Sequence, residues 1–256
     1  MKEEFYQVEE TLNKWESINR KYSLETLTEY RRRTGKFMRD SLPGEGTFKT
    51  HSELTLKVDG RGNFCSFSGD TIVFCIDDRV KAIAAGMQEI LYKNCGFMLS
   101  ERLKHNTFHV TLHDLNNEDT CGNFELIMEQ SKKAANNILA EIEREKAEPA
   151  GVRTVSIFNM ANKSIVLGLE PADRYSCMRL MELYERFQSV VRLNYPLTLH
   201  LTLAYYKPGE YSPEHRNTLK KTFAELTRTC GWEFRLESKS LIYQRFADMN
   251  QYYTVE

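Results

Sequence analysis

The chain has no run of roughly 18 consecutive apolar residues such as a membrane-spanning helix needs, and its first residues, Met1-Lys2-Glu3-Glu4, are not a basic segment leading into an apolar one. The expectation is therefore a cytoplasmic protein with no membrane partner. Neither sign of charge is in excess: 35 Lys plus Arg stand against 36 Asp plus Glu, a net charge of -1. That balance removes the bulk attraction on which binding to a long nucleic-acid duplex depends. The six cysteines are scattered and contain no Cys-x-x-Cys pair, which argues against a zinc cluster or a disulfide scaffold and for reduced thiols. A Walker loop, a dinucleotide-binding glycine fingerprint and a Gly-x-Ser-x-Gly elbow are all missing. Nucleoside-triphosphate chemistry, bound dinucleotides and a serine-hydrolase reaction thus have no support, and no cofactor or metal is expected.

What is present suits a sizeable core. Of 256 residues, 41% are hydrophobic and 28% charged, the balance of a globular α/β chain. Residues 1 to about 40 carry apolar positions at helical spacing (Phe5, Val8, Leu12, Trp15, then Leu24, Leu27, Tyr30), and glycines up to Gly69 suit turns and short strands. Residues 1–60 are thus an N-terminal helical and loop extension ahead of a bilobal domain over 61–256. Within that domain one order of elements occurs twice. The first pass is strand 71–76, helix 79–93, strand 107–113 and helix 123–146. The second is strands within 152–168, helix 172–193, strand 197–206 and helix 213–228, followed by terminal strands near 232–244. Only Glu148-Pro149-Ala150-Gly151 resembles a linker, so the lobes, roughly 61–150 and 151–256, belong to one compact unit.

The duplicated unit carries a duplicated hexapeptide, Thr107-Phe108-His109-Val110-Thr111-Leu112 and Thr198-Leu199-His200-Leu201-Thr202-Leu203. Alternation of polar and apolar residues marks a strand with two distinct faces. The apolar members go to the core. The other face presents a histidine and a threonine about 6.6 Å apart along each strand, close enough to reach one small ligand. A single His-x-Thr is a weak signal, because threonine is common in strands. Two in equivalent places of a repeat are not explained by strand propensity.

Two imidazoles titrating near neutrality can divide acid and base work on a phosphodiester, one activating water and the other protonating the departing alkoxide. His109 and His200 are the catalytic candidates. The hydroxyls of Thr111 and Thr202 can donate to non-bridging phosphate oxygens where negative charge develops. On strict alternation Tyr206 falls on the His200 face and Tyr205 on the other, which makes Tyr206 a candidate for stacking on a base. His113 falls on the His109 face about 13 Å away and is a second candidate for flanking the substrate. Tyr243 and Arg245 in a terminal strand are candidates for a phosphate contact.

On these motifs the sequence resembles the 2H phosphoesterase superfamily, RNA-ligase-like and cyclic phosphodiesterases whose hallmark is one His-x-Thr/Ser motif per lobe. The resemblance covers roughly residues 65–245 and rests on His109, Thr111, His200 and Thr202. It implies a bilobal α/β (α+β) fold, with two antiparallel-rich sheets flanking a central cleft and helices outside. A further likeness, to an uncharacterised bacterial branch, comes from Phe67-Ser68-Gly69-Asp70-Thr71 and Phe246-Ala247-Asp248-Met249. The activity implied is metal-independent hydrolysis of a cyclic phosphodiester, such as the 2′,3′-cyclic phosphate of a nucleotide or RNA end. Two alternatives stay open: a non-catalytic module that binds a nucleotide or RNA end in the same cleft, and a metal-dependent hydrolase. The latter requires residues 105–113 to be helical, which would align His105, His109 and His113 on one face.

Overall fold

The computed structural model describes residues 24–42, 44–118 and 123–255. The helical spacing of Phe5 to Trp15 lies outside the described residues, as does Cys121. The other five cysteines are free thiols.

The element order follows the expected repeat. In the first pass, strand β2 (Gly69–Cys75) leads to helix α2 (Asp78–Cys95), strand β3 (His109–Asn117) and helix α3 (Phe124–Arg144). In the second, β4 (Ala150–Met160) and β5 (Ser164–Pro171) form a hairpin, followed by α4 (Arg174–Phe187), β6 (His200–Tyr205) and α5 (Pro213–Thr227). The hairpin turns through Ala161 and Asn162, both at positive φ (51° and 57°), in a tight turn closed by Lys163 N donating to Met160 O at 3.0 Å. The first helix of each repeat starts on an aspartate cap. Asp77 accepts from Val80 N at 2.8 Å and Asp173 from Ser176 N at 2.7 Å, satisfying otherwise orphaned N–H groups. No helix among the described residues is long and apolar enough to cross a membrane.

Strands β8 (Glu233–Leu236), β9 (Leu241–Asp248) and β10 (Gln251–Tyr253) end the chain. They complete an eight-stranded, wholly antiparallel sheet in the order β10-β9-β2-β3-β6-β5-β4-β8. The motif strands β3 and β6 are therefore central neighbours, joined at one registered pair, Val110↔Leu201. Two four-stranded arrays meet there edge to edge. A separate two-stranded sheet joins β1 (Phe48–Lys49) to β7 (Glu210–Tyr211).

The arrays do not follow the division of the chain near residue 150. β9 and β10, from the end of the sequence, lie beside β2 in the first array, with β9 registered from Gly69↔Phe246 to Phe74↔Leu241. Their close approach depends on Gly69. A Cβ there would stand 2.5 Å from the Asn116 carbonyl oxygen and 2.3 Å from the Phe246 ring. The two fragments that carry the further likeness, around Gly69 and Phe246, are thus neighbours across one strand pair.

Helix α1 (Leu27–Arg39) opens with a Thr26–Glu29 capping box and buries Tyr30, Thr34 and Met38. Met38 packs with Phe158 and Val166 of the second array. This part of the N-terminal extension is an integral layer of the molecule.

Candidate active site

Apolar residues of the motif strands point into the core, with Phe108, Val110, Leu112, Leu199, Leu201 and Leu203 each no more than 3% exposed. The opposite face lines a groove of about 710 Å³ that contains His109, Thr111, His200 and Thr202. Continuing the Val110↔Leu201 register by one residue sets His109 across from Thr202 and His200 across from Thr111. The two histidines are then diagonal cross-strand neighbours, which such pairing sets about 7–8 Å apart, with their Cβ atoms somewhat closer.

The rings are held alike. His109 Nδ1 lies 2.7 Å from the carbonyl oxygen of Thr107, and His200 Nδ1 lies 2.8 Å from that of Thr198. A carbonyl only accepts, so each Nδ1 carries the proton and each Nε2 is left for a ligand. Burial lowers both pKa values: His109 falls to about 4, with the Thr107 carbonyl and Asp114 opposing and His200 adding to the shift. His200 is lowered for the same first reason, again against its carbonyl partner and Asp114. The Thr111 and Thr202 hydroxyls donate to no other described residue and remain available in the groove.

Beyond the threonines, simple alternation fails, and it fails identically in both motifs. Along β3 the partners run Val73↔Thr111 and then Ile72↔His113, skipping Leu112. Along β6 they run Val166↔Thr202 and then Ile165↔Ala204, skipping Leu203. The extra residue of each bulge moves everything after it to the other face. His113 therefore turns into the core, 1% exposed, with its ring 5.0 Å from that of Tyr184. Tyr206 is fully buried against Phe48, ring centroids 4.9 Å apart. The expectation for Tyr206 is corrected, since it does not line the groove; His113, though packed against Tyr184, still borders it, and Asp114 and Tyr205 join it there. The signal was present as the adjacent apolar pair Leu203-Ala204 and the three-residue step from Leu112 to Leu115, neither of which fits a period of two.

The bulge also separates His109 from His113, and His105 sits in a short 3-10 turn, His105–Thr107. The one-face histidine row that a helix would make is not formed. Tyr243 and Arg245 do not reach the groove either. Tyr243 donates to Asp70 Oδ2 at 3.0 Å, and Arg245 pairs with Glu129 at 2.6 Å and donates to the Tyr243 hydroxyl at 3.2 Å. They belong to a buried network around Asp70, which also accepts from Asn116 N at 2.7 Å.

Several groove residues carried no sequence signal. Tyr252 of β10 lies with its ring 4.9 Å from that of His109. Lys57 places its ammonium 4.9 Å from the Phe67 ring centre and 5.8 Å from that of Tyr205, and burial lowers its pKa, with Asp114 and Glu53 opposing. At the other end Tyr195, from the loop before β6, donates to Asp114 Oδ2 at 2.8 Å. The Tyr206 hydroxyl is buried with no hydrogen-bond partner among the described residues. Replacing it, in Tyr206→Phe, is expected to raise unfolding free energy by about 1 kcal/mol and to leave ligand binding in the groove unchanged. Urea denaturation and calorimetry check both halves, and weakened binding would return Tyr206 to the site.

No family model and no curated protein matches the chain in sequence. Among solved structures it is similar to a conserved protein of unknown function, ATU0111, from Agrobacterium tumefaciens str. C58. Identity is 14% over 81% of this chain and 93% of that one, with a TM-score of 0.57. It is also similar to TT0787 of Thermus thermophilus (14% identity, 73% and 95% covered, TM-score 0.47). A third likeness is to E. coli LigT complexed with 3′-AMP (11% identity, 74% and 96% covered, TM-score 0.43). The fold is shared with the Agrobacterium protein, and in this chain its two four-stranded arrays meet at the two His-x-Thr strands.

Proposed function

We propose that this chain hydrolyses a cyclic phosphodiester without a metal ion, using His109 and His200 as paired acid and base. One observation carries the reading: two imidazoles from separate repeats, each with Nδ1 turned to a backbone carbonyl, share a single groove. One Nε2 takes a proton from water as its oxygen attacks phosphorus. The endocyclic P–O bond on the far side breaks, and the other imidazole gives its proton to the leaving alkoxide. Thr111 and Thr202 donate to the non-bridging oxygens as charge builds on them. The product is a phosphomonoester, and the substrate is a 2′,3′-cyclic phosphate on a nucleotide or RNA end, or a related small ester.

The test is a screen of the full chain against 2′,3′-cyclic nucleotides, 3′,5′-cyclic nucleotides and RNA with cyclic-phosphate ends, in excess chelator. Turnover of a 2′,3′-cyclic phosphate is expected. Binding that persists unhydrolysed for hours at high protein concentration would make the chain a binding module instead. Activity lost to chelator and restored by metal would overturn the two-histidine mechanism.

A further inference from the structure

Helix α1 precedes both repeats, yet it is bonded to the backbone that holds one of the two histidines. Tyr30 is fully buried, and its hydroxyl donates to Leu169 O at 3.0 Å and accepts from Leu199 N at 2.9 Å. Strands β5 and β6 keep register as far as Gly168↔His200. One residue further, Leu169 N still donates to Leu199 O at 3.0 Å. The return bond of that pair, Leu199 N to Leu169 O, is replaced by the tyrosine hydroxyl, which bridges the two groups beside His200.

One turn along α1, Arg33 reaches the same segment. Its Nη2 donates to Leu197 O at 2.7 Å and its Nη1 to Thr198 Oγ1 at 3.0 Å. The Glu25 carboxylate fixes the guanidinium from behind, at 2.8 Å from Nε and 2.7 Å from Nη2. Residues 197–199 are thus tied at three consecutive positions by two side chains of one helix. The middle residue, Thr198, supplies the carbonyl that holds His200 Nδ1. The first repeat is built differently: the Thr107 hydroxyl donates to Lys104 O within its own turn.

We propose that Arg33 and Tyr30 are positioning residues for His200: α1 clamps residues 197–199 so that the Thr198 carbonyl keeps the imidazole proton on Nδ1 and Nε2 directed into the groove. The catalytic importance of the clamp rests on the phosphodiesterase reading, but its structural effect does not. Arg33 carries the cleaner test, because its side chain is 29% exposed and Arg33→Met keeps its apolar stem, whereas Tyr30→Phe leaves Leu169 O and Leu199 N unpaired in the core.

The experiment is histidine-labelled NMR on the full native chain and on its Arg33→Met and Arg33→Lys variants, with steady-state kinetics on any cyclic phosphodiester the native protein turns over. In Arg33→Met, the ring-nitrogen shifts and titration midpoint of His200 are expected to move while those of His109 stay. Misplacement of one catalytic group predicts a fall in kcat of about 10–100-fold with KM little changed. Arg33→Lys cannot span both acceptors and is expected not to rescue. Unmoved His200 signals in folded Arg33→Met overturn the proposal, as does an equal movement of both histidines, which is general loosening. Movement of His200 alone in a chain whose native form hydrolyses no cyclic phosphodiester keeps the clamp and removes the phosphodiesterase reading.

Discussion

His109→Ala and His200→Ala are each expected to lower kcat on a cyclic phosphodiester by about 10²–10⁴-fold, the usual worth of a positioned acid or base. The double variant should be little worse than either single one. Acid and base act in the same transition state, so once one proton transfer is lost the other has little left to accelerate. The measurement is steady-state turnover, with melting curves showing that the variants remain folded. Folding is expected to survive, because each Nδ1 bonds a carbonyl only two residues away and each ring lines the groove rather than filling the core. Full activity in either single variant would remove the mechanism. Thr111→Val and Thr202→Val should act more mildly, since each hydroxyl supplies one of several donors to the phosphate.

How far the sequence could be read follows the range of the interactions involved. The repeat of strand, helix, strand and helix was legible because periodicity and caps are local: Asp77 and Asp173 each announce a helix after a buried strand. That His109 and His200 would line one groove was legible because duplication turned a weak motif into a strong one. Strict alternation then misplaced Tyr206, because a bulge is a property of two paired strands and shows only faintly in one of them. The terminal strands are the same lesson at longer range. Nothing near residue 245 states that its partner is Asp70, and so Arg245, read as a phosphate ligand, serves a buried network instead. Tyr252 beside His109 and Arg33 behind Thr198 reach the site from opposite ends of the sequence, where no spacing argument extends.

The pH dependence should separate free enzyme from complex. In the empty groove burial holds His109 at about 4 and lowers His200 below its ordinary 6.5, so at pH 7 both imidazoles are neutral. A neutral pair has its base but lacks its acid. The productive free form carries one proton on the pair, and the two apparent values belong to the pair rather than to either ring. Because kcat/KM reports the free enzyme, its maximum is expected on the acid side of neutrality, above the value of about 4 to which His109 is lowered. It should fall on the alkaline side as the acid loses its proton and on the acid side as the base gains one. A bound phosphodiester carries negative charge beside both rings and favours their protonated forms. The kcat profile should therefore lie to the alkaline side of the kcat/KM profile, and binding near pH 7 should take up a proton. Calorimetry in buffers of different ionisation enthalpy measures that uptake directly. Coincident profiles with no proton uptake would mean that the two imidazoles do not face the phosphate.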